Sequence, residues 1–110
     1  MIQERLDKIE ERLKQSESMK ESDKAELLNI LNTLRTEIAG LSQTDQEHAE
    51  SIARFAELST HEATRNKRSD ALFDLSIEGL MTSGRGFEIS HPRLVAVINA
   101  FCNYLTDMGI

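Results

Sequence analysis

A chain of 110 residues with 13 basic and 19 acidic side chains carries a formal net charge of −6 and holds the material for one small domain. Its hydrophobic residues, 39% of the total and poor in aromatics, suffice for a modest core but not for a large buried catalytic cavity, and the acidic balance argues against general nucleic-acid binding, which leans on a positive field. One proline, five glycines and 29% charged residues point to helices rather than to a β-sandwich or a disordered tail.

The first segment places Ile2, Leu6, Ile9 and Leu13 on one helical face by steps of four, three and four. Glu4 with Lys8 and Glu10 with Lys14 are favourable i,i+4 pairs on the outside. The stripe reaches Ser16 and Lys20 next, so the spacing predicts a helix over 2–15. Ser22 reads as the N-cap of a second helix over 23–39, with Asp23 and Glu26 in its first turn and Gly40 as its stop. Its face, Leu27, Leu31, Leu34, Ile38 and Leu41, keeps heptad spacing. Thr44 and Glu47 match a capping box, and the short turn before them predicts an antiparallel pair.

From Asp45 to about Glu78 the chain has neither glycine nor proline, which predicts one helix over 45–79, about 50 Å long at 1.5 Å per residue. Its apolar face is built largely from small residues around Ile52 and Phe55. Its middle, Ser59 to Asp70, is nearly all polar. The alternative is a break near 66–69, with Ser69 capping a separate helix. Thr82 to Gly86 reads as a loop. A last helix over 91–108 begins at Ser90 or His91 with Pro92 in its first turn, and Ile89 and Leu94 stand where a hydrophobic staple would put them. Leu94, Ile98, Phe101, Leu105 and Met108 form its face, and Gly109 with Ile110 suits a Schellman ending. The fold class expected is all-α: about four amphipathic helices, in an antiparallel bundle or an extended coiled-coil-like arrangement.

The stretch Phe87-Glu88-Ile89-Ser90-His91-Pro92-Arg93-Leu94, with Met108-Gly109-Ile110 closing the chain, resembles the C-terminus of short bacterial proteins grouped as domain of unknown function 4404. The resemblance covers the last two dozen residues or so. It implies a small all-helical bacterial protein and no particular activity.

Residues able to carry chemistry do not converge. His48, His61 and His91 do not pair at i,i+4. His61-Glu62 begins like a zinc-protease motif, but Arg65 stands where its second histidine belongs. Glu57 and His61 are i,i+4 and suit a salt bridge or a two-ligand surface site. Gly79 and Gly84 have phosphate-loop spacing, but Arg85 and Gly86 follow instead of Lys and Ser or Thr. Cys102 and His91 lie about 16 Å apart along one helix, too far for a nucleophile and its base, and Cys102 reads as a buried structural thiol. These residues imply no enzyme, no metal and no cofactor. Ser90, His91 and Arg93 are the candidate partner contacts. Arg65, Lys67 and Arg68, with Arg54 upstream, form the one basic cluster.

A lone cysteine and a charged first segment without an apolar signal core suit a cytoplasmic location. The longest apolar run, Leu94 to Ile98, is far short of a membrane span. The leading expectation is a helical interaction or structural protein that self-associates as a homodimer, because heptad faces left over select for a partner helix. An unknown protein partner is the companion expectation. The alternative is a small regulatory nucleic-acid binder using the Arg65–Arg68 cluster.

Overall fold

The computed structural model describes residues 1–108, and the described residues contain helices and no strand. The elements are α1 (Ile2–Gln15), α2 (Glu21–Ser42), α3 (Gln46–Thr64), α4 (Asp70–Gly84) and α5 (Pro92–Asp107). Among the described residues there are thus five helices, where about four were expected. Among the described residues no helix is long and apolar enough to cross a membrane. The Gly109–Ile110 ending lies outside the described residues.

The apolar stripes become the core. Leu6, Ile9 and Leu13 of α1, and Leu27, Leu31, Leu34, Ile38 and Leu41 of α2, are buried. The boundaries differ from the expected ones for local reasons. Helix α2 starts one residue before Ser22, with Lys20 at the N-cap and no side-chain cap; Glu21 and Asp23 in the first turn complement the helix dipole. It also runs through Gly40 to Ser42, because the next turn buries Leu41. That burial, about 1.5–3 kcal/mol, outweighs the roughly 1 kcal/mol a helical glycine costs. The cap of α3 is Asp45, whose carboxylate accepts from the His48 amide at 3.1 Å. Thr44 instead donates its hydroxyl to the Leu41 carbonyl at 3.3 Å, closing the end of α2. Of the two outer pairs expected on α1, Glu10–Lys14 forms at 2.9 Å, and Glu4–Lys8 does not among the described residues.

The continuous helix over 45–79 is replaced by two helices. The chain leaves helical geometry at Arg65, and Ser69 restarts it by accepting from the Leu72 amide at 3.3 Å. The break follows from chemistry. A polar segment gains nothing from staying helical in solvent, whereas folding back buries Phe73, Leu80 and part of Ile77. Helices α3 and α4 run antiparallel, with Ser59 opposite Ser76 and Phe55 opposite Gly79. The molecule measures 37 × 24 × 22 Å, so a 50 Å rod is excluded. Its radius of gyration of 13.0 Å is that of a compact domain of this length. The extended coiled-coil-like arrangement is therefore excluded.

Helix α3 is the central element, packed against α1, α2 and α4, while α5 closes on α2 and α4. Its buried face is Ala49, Ile52, Ala53, Ala56, Ser59, Thr60 and Ala63. The hydroxyls on it are satisfied locally. Ser59 Oγ lies 2.8 Å from the Phe55 carbonyl and 3.1 Å from that of Ser76, and Thr60 donates to Ala56 at 2.9 Å. Small, self-satisfied side chains allow close approach without unpaired buried donors.

Thr82–Gly84 belongs to α4 rather than to a loop. Gly84 is buried because Ile98 of α5 lies where a β-carbon would go, and the turn itself falls to Gly86 at φ 94°. The staple expected of Ile89 does not form: Ile89 is 97% exposed. The N-cap residue of α5 is His91, without a side-chain cap bond, and Pro92 occupies the first turn. Leu94, Val97, Ile98, Phe101, Cys102 and Leu105 are buried, and Pro92 is exposed. The heptad faces of α2 and α5 are thus closed within one chain and leave no seam for a partner helix.

Two glycines give a paired test. Gly40 and Gly79 are both helical, but a β-carbon at Gly40 meets open space, whereas one at Gly79 runs into the Phe55 ring. Gly40→Ala is expected to stabilise by about 0.5–1 kcal/mol. Gly79→Ala is expected to destabilise, because overpacking of about 1–3 kcal/mol exceeds the same gain. Urea denaturation of both variants checks the opposite signs. In the same assay Phe101→Ala, at a fully buried ring, costs about 3–5 kcal/mol. His91→Ala costs about 1 kcal/mol or less, since His91 is half-exposed and contributes no capping bond.

Candidate functional site

The segment from Phe87 to Pro92 crosses one end of the bundle. Phe87 stands between two histidines, meeting His48 edge-on at 5.4 Å between ring centroids and His91 at 5.8 Å. His48 Nδ1 lies 2.8 Å from the Asp45 carboxylate, and His91 Nδ1 lies 2.9 Å from Ser90 Oγ. Glu88 accepts from the Gly86 amide at 2.8 Å, holding the turn. The segment thus clamps the α2–α3 turn to the start of α5. Of the candidate contacts, Ser90 and Arg93 are exposed and His91 is half-buried, so they lie together with Ile89 at one rim.

The basic cluster is spent on its own chain. Arg65 pairs with the buried Glu62 at 2.9 Å. The Arg68 guanidinium lies 4.2 Å from the centre of the Phe73 ring, with Nε 3.4 Å from the Asp70 carboxylate. Only Lys67 of the three is exposed without an ion pair among the described residues. That arrangement anchors the start of α4. Glu57 pairs with Arg5 at 2.8 Å rather than with His61, whose Nε2 is 4.0 Å from Glu62. The described residues hold no group of three or more metal-ligating side chains.

Two surface features were not legible as sites. The first is a groove of about 760 Å³ between α1 and α3, lined in part by Arg5, Lys8, Arg12, Arg54 and His61 over Ile9 and Leu58. Its acids are Glu11 and Glu57, the latter already paired with Arg5. Lys8 and Arg12 have no carboxylate partner among the described residues; Arg12 Nε donates to Thr64 at 2.6 Å. A basic groove on a chain of net charge −6 concentrates positive field on one face. Its sequence signal was the spacing Arg5, Lys8, Arg12, by steps of three and four along α1. The other half lies on a different helix. The second feature is a set of exposed leucines: Leu58 on α3 (43% exposed) with Leu72 (45%) and Leu75 (64%) on α4.

Partly exposed polar groups elsewhere also serve structure. The Tyr104 hydroxyl donates to Asp23 at 2.8 Å, tying α5 to the start of α2, and that bond, aided by desolvation, raises its pKa. Arg35 joins α2 to α1 through Gln3, Asp7 and Glu10. Hydrogen bonding from Lys14, with Lys14 and Arg35 charge nearby, lowers the Glu10 pKa.

Cys102 is fully buried, as expected of a structural thiol, and burial pushes it up to about 12 from 9.0. The native thiol therefore holds its proton where the unfolded one has lost it. This selects the unfolded state between about pH 9 and 12, so the Cys102 contribution to stability falls as pH rises through that window. Two outcomes are expected: Ellman's reagent modifies Cys102 only as fast as the chain unfolds, and Cys102→Ala flattens the alkaline loss of stability in urea titrations. No family model, no curated protein and no solved structure matches this chain.

Proposed function

We propose that this chain is a small helical interaction protein that acts by self-association, and that the outer face of α3 and α4 carries the contact. The observation that supports this is the Leu58, Leu72 and Leu75 set. Each is partly exposed, and none is required by the closed core. In chain register they lie close together: with Ser59 opposite Ser76 and Phe55 opposite Gly79, Leu58 is level with Leu75. An apolar patch beside polar rims is the usual mark of a docking surface. The face is small. A 15-residue helix is about 22 Å long, and two neighbouring helices, each about 10 Å across, present a face about 20 Å wide, which gives about 450 Å² per copy. That is below the roughly 800 Å² per partner of a standard stable interface, so the proposed homodimer is weak and concentration-dependent.

The proposal extends to a non-enzymatic role in the bacterial cytoplasm, supported by the single buried Cys102 and by the resemblance of residues 87–94 to domain of unknown function 4404. The second proposed contact, with another protein through Ile89, Ser90, His91 and Arg93, is supported by their shared exposed rim.

Sedimentation equilibrium from 10 µM to 1 mM, on the order expected for a small interface, tests self-association. The weight-average mass is expected to rise above the monomer's 12.4 kDa with concentration. Leu75→Glu, at an exposed position, is expected to keep the helical spectrum and hold the mass at the monomer. A parent chain that stays monomeric throughout overturns the proposal.

A further inference from the structure

The exposed leucines lie between two rims of opposite charge, and this arrangement names the partner. On α3, Arg54, Leu58 and His61 follow at i, i+4 and i+7 and share the outer face. Their neighbours Glu57 and Thr64 reach α1 through Arg5 and Arg12, while Ser59 turns to α4. Arg54 and His61 therefore stand on the α1 side of Leu58, at the mouth of the basic groove, where Arg54 Nη2 also lies 3.1 Å from Glu50 one turn back on its own helix. On α4, Ser76 turns to α3, and Leu72 and Leu75 stand beside it. Asp74 and Glu78 lie further round, on the side away from α3. Across the face the order is basic rim, Leu58, Leu72 with Leu75, acidic rim. Asp74 and Glu78 are exposed and have no ion pair among the described residues. On the other side, Lys8 and Arg12 of the groove have no carboxylate partner among the described residues.

A surface that is basic on one edge and acidic on the other is complementary to itself under one operation. A two-fold axis lying in the contact plane and parallel to α3 and α4 exchanges the edges while keeping each residue at its own height. It sets α4 of one copy over α3 of the other, antiparallel, with the leucines between them. Height is fixed by the Ser59–Ser76 and Phe55–Gly79 pairs, so Asp74 comes level with His61, and Glu78 falls within a turn of Arg54. An axis across the helices would instead lay acidic rim on acidic rim.

Resting on the self-association proposed above, we infer that a second copy of this chain docks with α4 against α3 about this axis, so that Asp74 and Glu78 of each copy enter the basic α1–α3 groove of the other beside Arg54 and His61. The occupant of the groove is then the acidic edge of an identical chain, and the closed two-fold contact stops at a dimer. Charge pairing at the rim supplies orientation, and the leucines supply the apolar contact.

Charge reversal with complementation tests the pairing. Asp74→Arg with Glu78→Arg places like charges at both copies of the contact, as does Arg54→Glu with His61→Glu. Each double variant alone is expected to self-associate at least about tenfold more weakly than the parent. Their equimolar mixture restores association, because each half of the mixed contact again pairs opposite charges. Raising the salt concentration weakens the parent and the mixture alike. Circular dichroism confirms folding; if a reversal unfolds the chain, the milder Asp74→Asn with Glu78→Gln carries the test, with a smaller weakening expected. Double variants that associate like the parent overturn this pairing, as does a mixture no stronger than its components. Either result leaves self-association itself standing, whereas a monomeric parent removes both.

Discussion

Helix α3 is approached from three sides at once, and the size of its side chains is what permits it. Ala49, Ala53, Ala56, Ser59 and Ala63 leave room for α1, α2 and α4 to come close, and Ile52 fills what the small residues leave. Close approach of backbones removes water from peptide groups, so every hydroxyl on that face must find a partner. Ser59 and Thr60 do so by bonding back to carbonyls of their own helix, and Ser59 also reaches the Ser76 carbonyl of α4. The fold-back at 65–69 depends on this contact, because α4 gains burial only if it can sit close to α3. Gly79 against the Phe55 ring is the same constraint seen from the other helix.

With α3 at the centre, the charge layout follows. The parallel pairing of α1 with α3, marked by Arg5–Glu57 and Arg12–Thr64, brings Lys8 beside Arg54 and His61, residues more than 45 positions away in the chain. The acids of α4 fall on the opposite rim. A chain of net charge −6 thus carries a basic groove, and that asymmetry gives the proposed docking surface direction as well as apolar contact.

Much of the architecture was legible because its signals are local and repeated. Leu27 to Leu41 and Leu94 to Leu105 are faces that no other fold class would bury in that spacing. The hydroxyl of Ser69 is readable as a cap, but the sequence does not decide between the break it marks and a continuous helix, because absence of glycine and proline says only that a helix is allowed. Whether it continues is decided by what Phe73 and Leu80 can reach in three dimensions. For the same reason Gly40 and the Thr82–Gly84 stretch misled. Helix stop signals cost about 1 kcal/mol, and burying Leu41 or fitting Gly84 against Ile98 outweighs them. The candidate site was less legible. Arg65 and Arg68 look like a basic patch in sequence, although Glu62 stands only three residues before Arg65; the Arg68 contact with Phe73 forms because the chain turns at the break. Ser90, His91 and Arg93 are consecutive or nearly so in the chain, whereas the position of Phe87 between His48 and His91 depends on a contact that spans 39 residues of sequence.

Native-state hydrogen exchange, resolved by residue across positions 49 to 80, addresses the α3–α4 fold-back most directly. The amides of Ala49 to Ala63 and of Phe73 to Leu80 should exchange only through global or near-global opening, while those of Asn66 to Ser69 exchange several orders of magnitude faster. Protection that runs unbroken through 66–69 would mean one continuous helix, and rapid exchange along the face of α3 would mean that it is not the centre on which the other helices pack. Either pattern contradicts the fold-back.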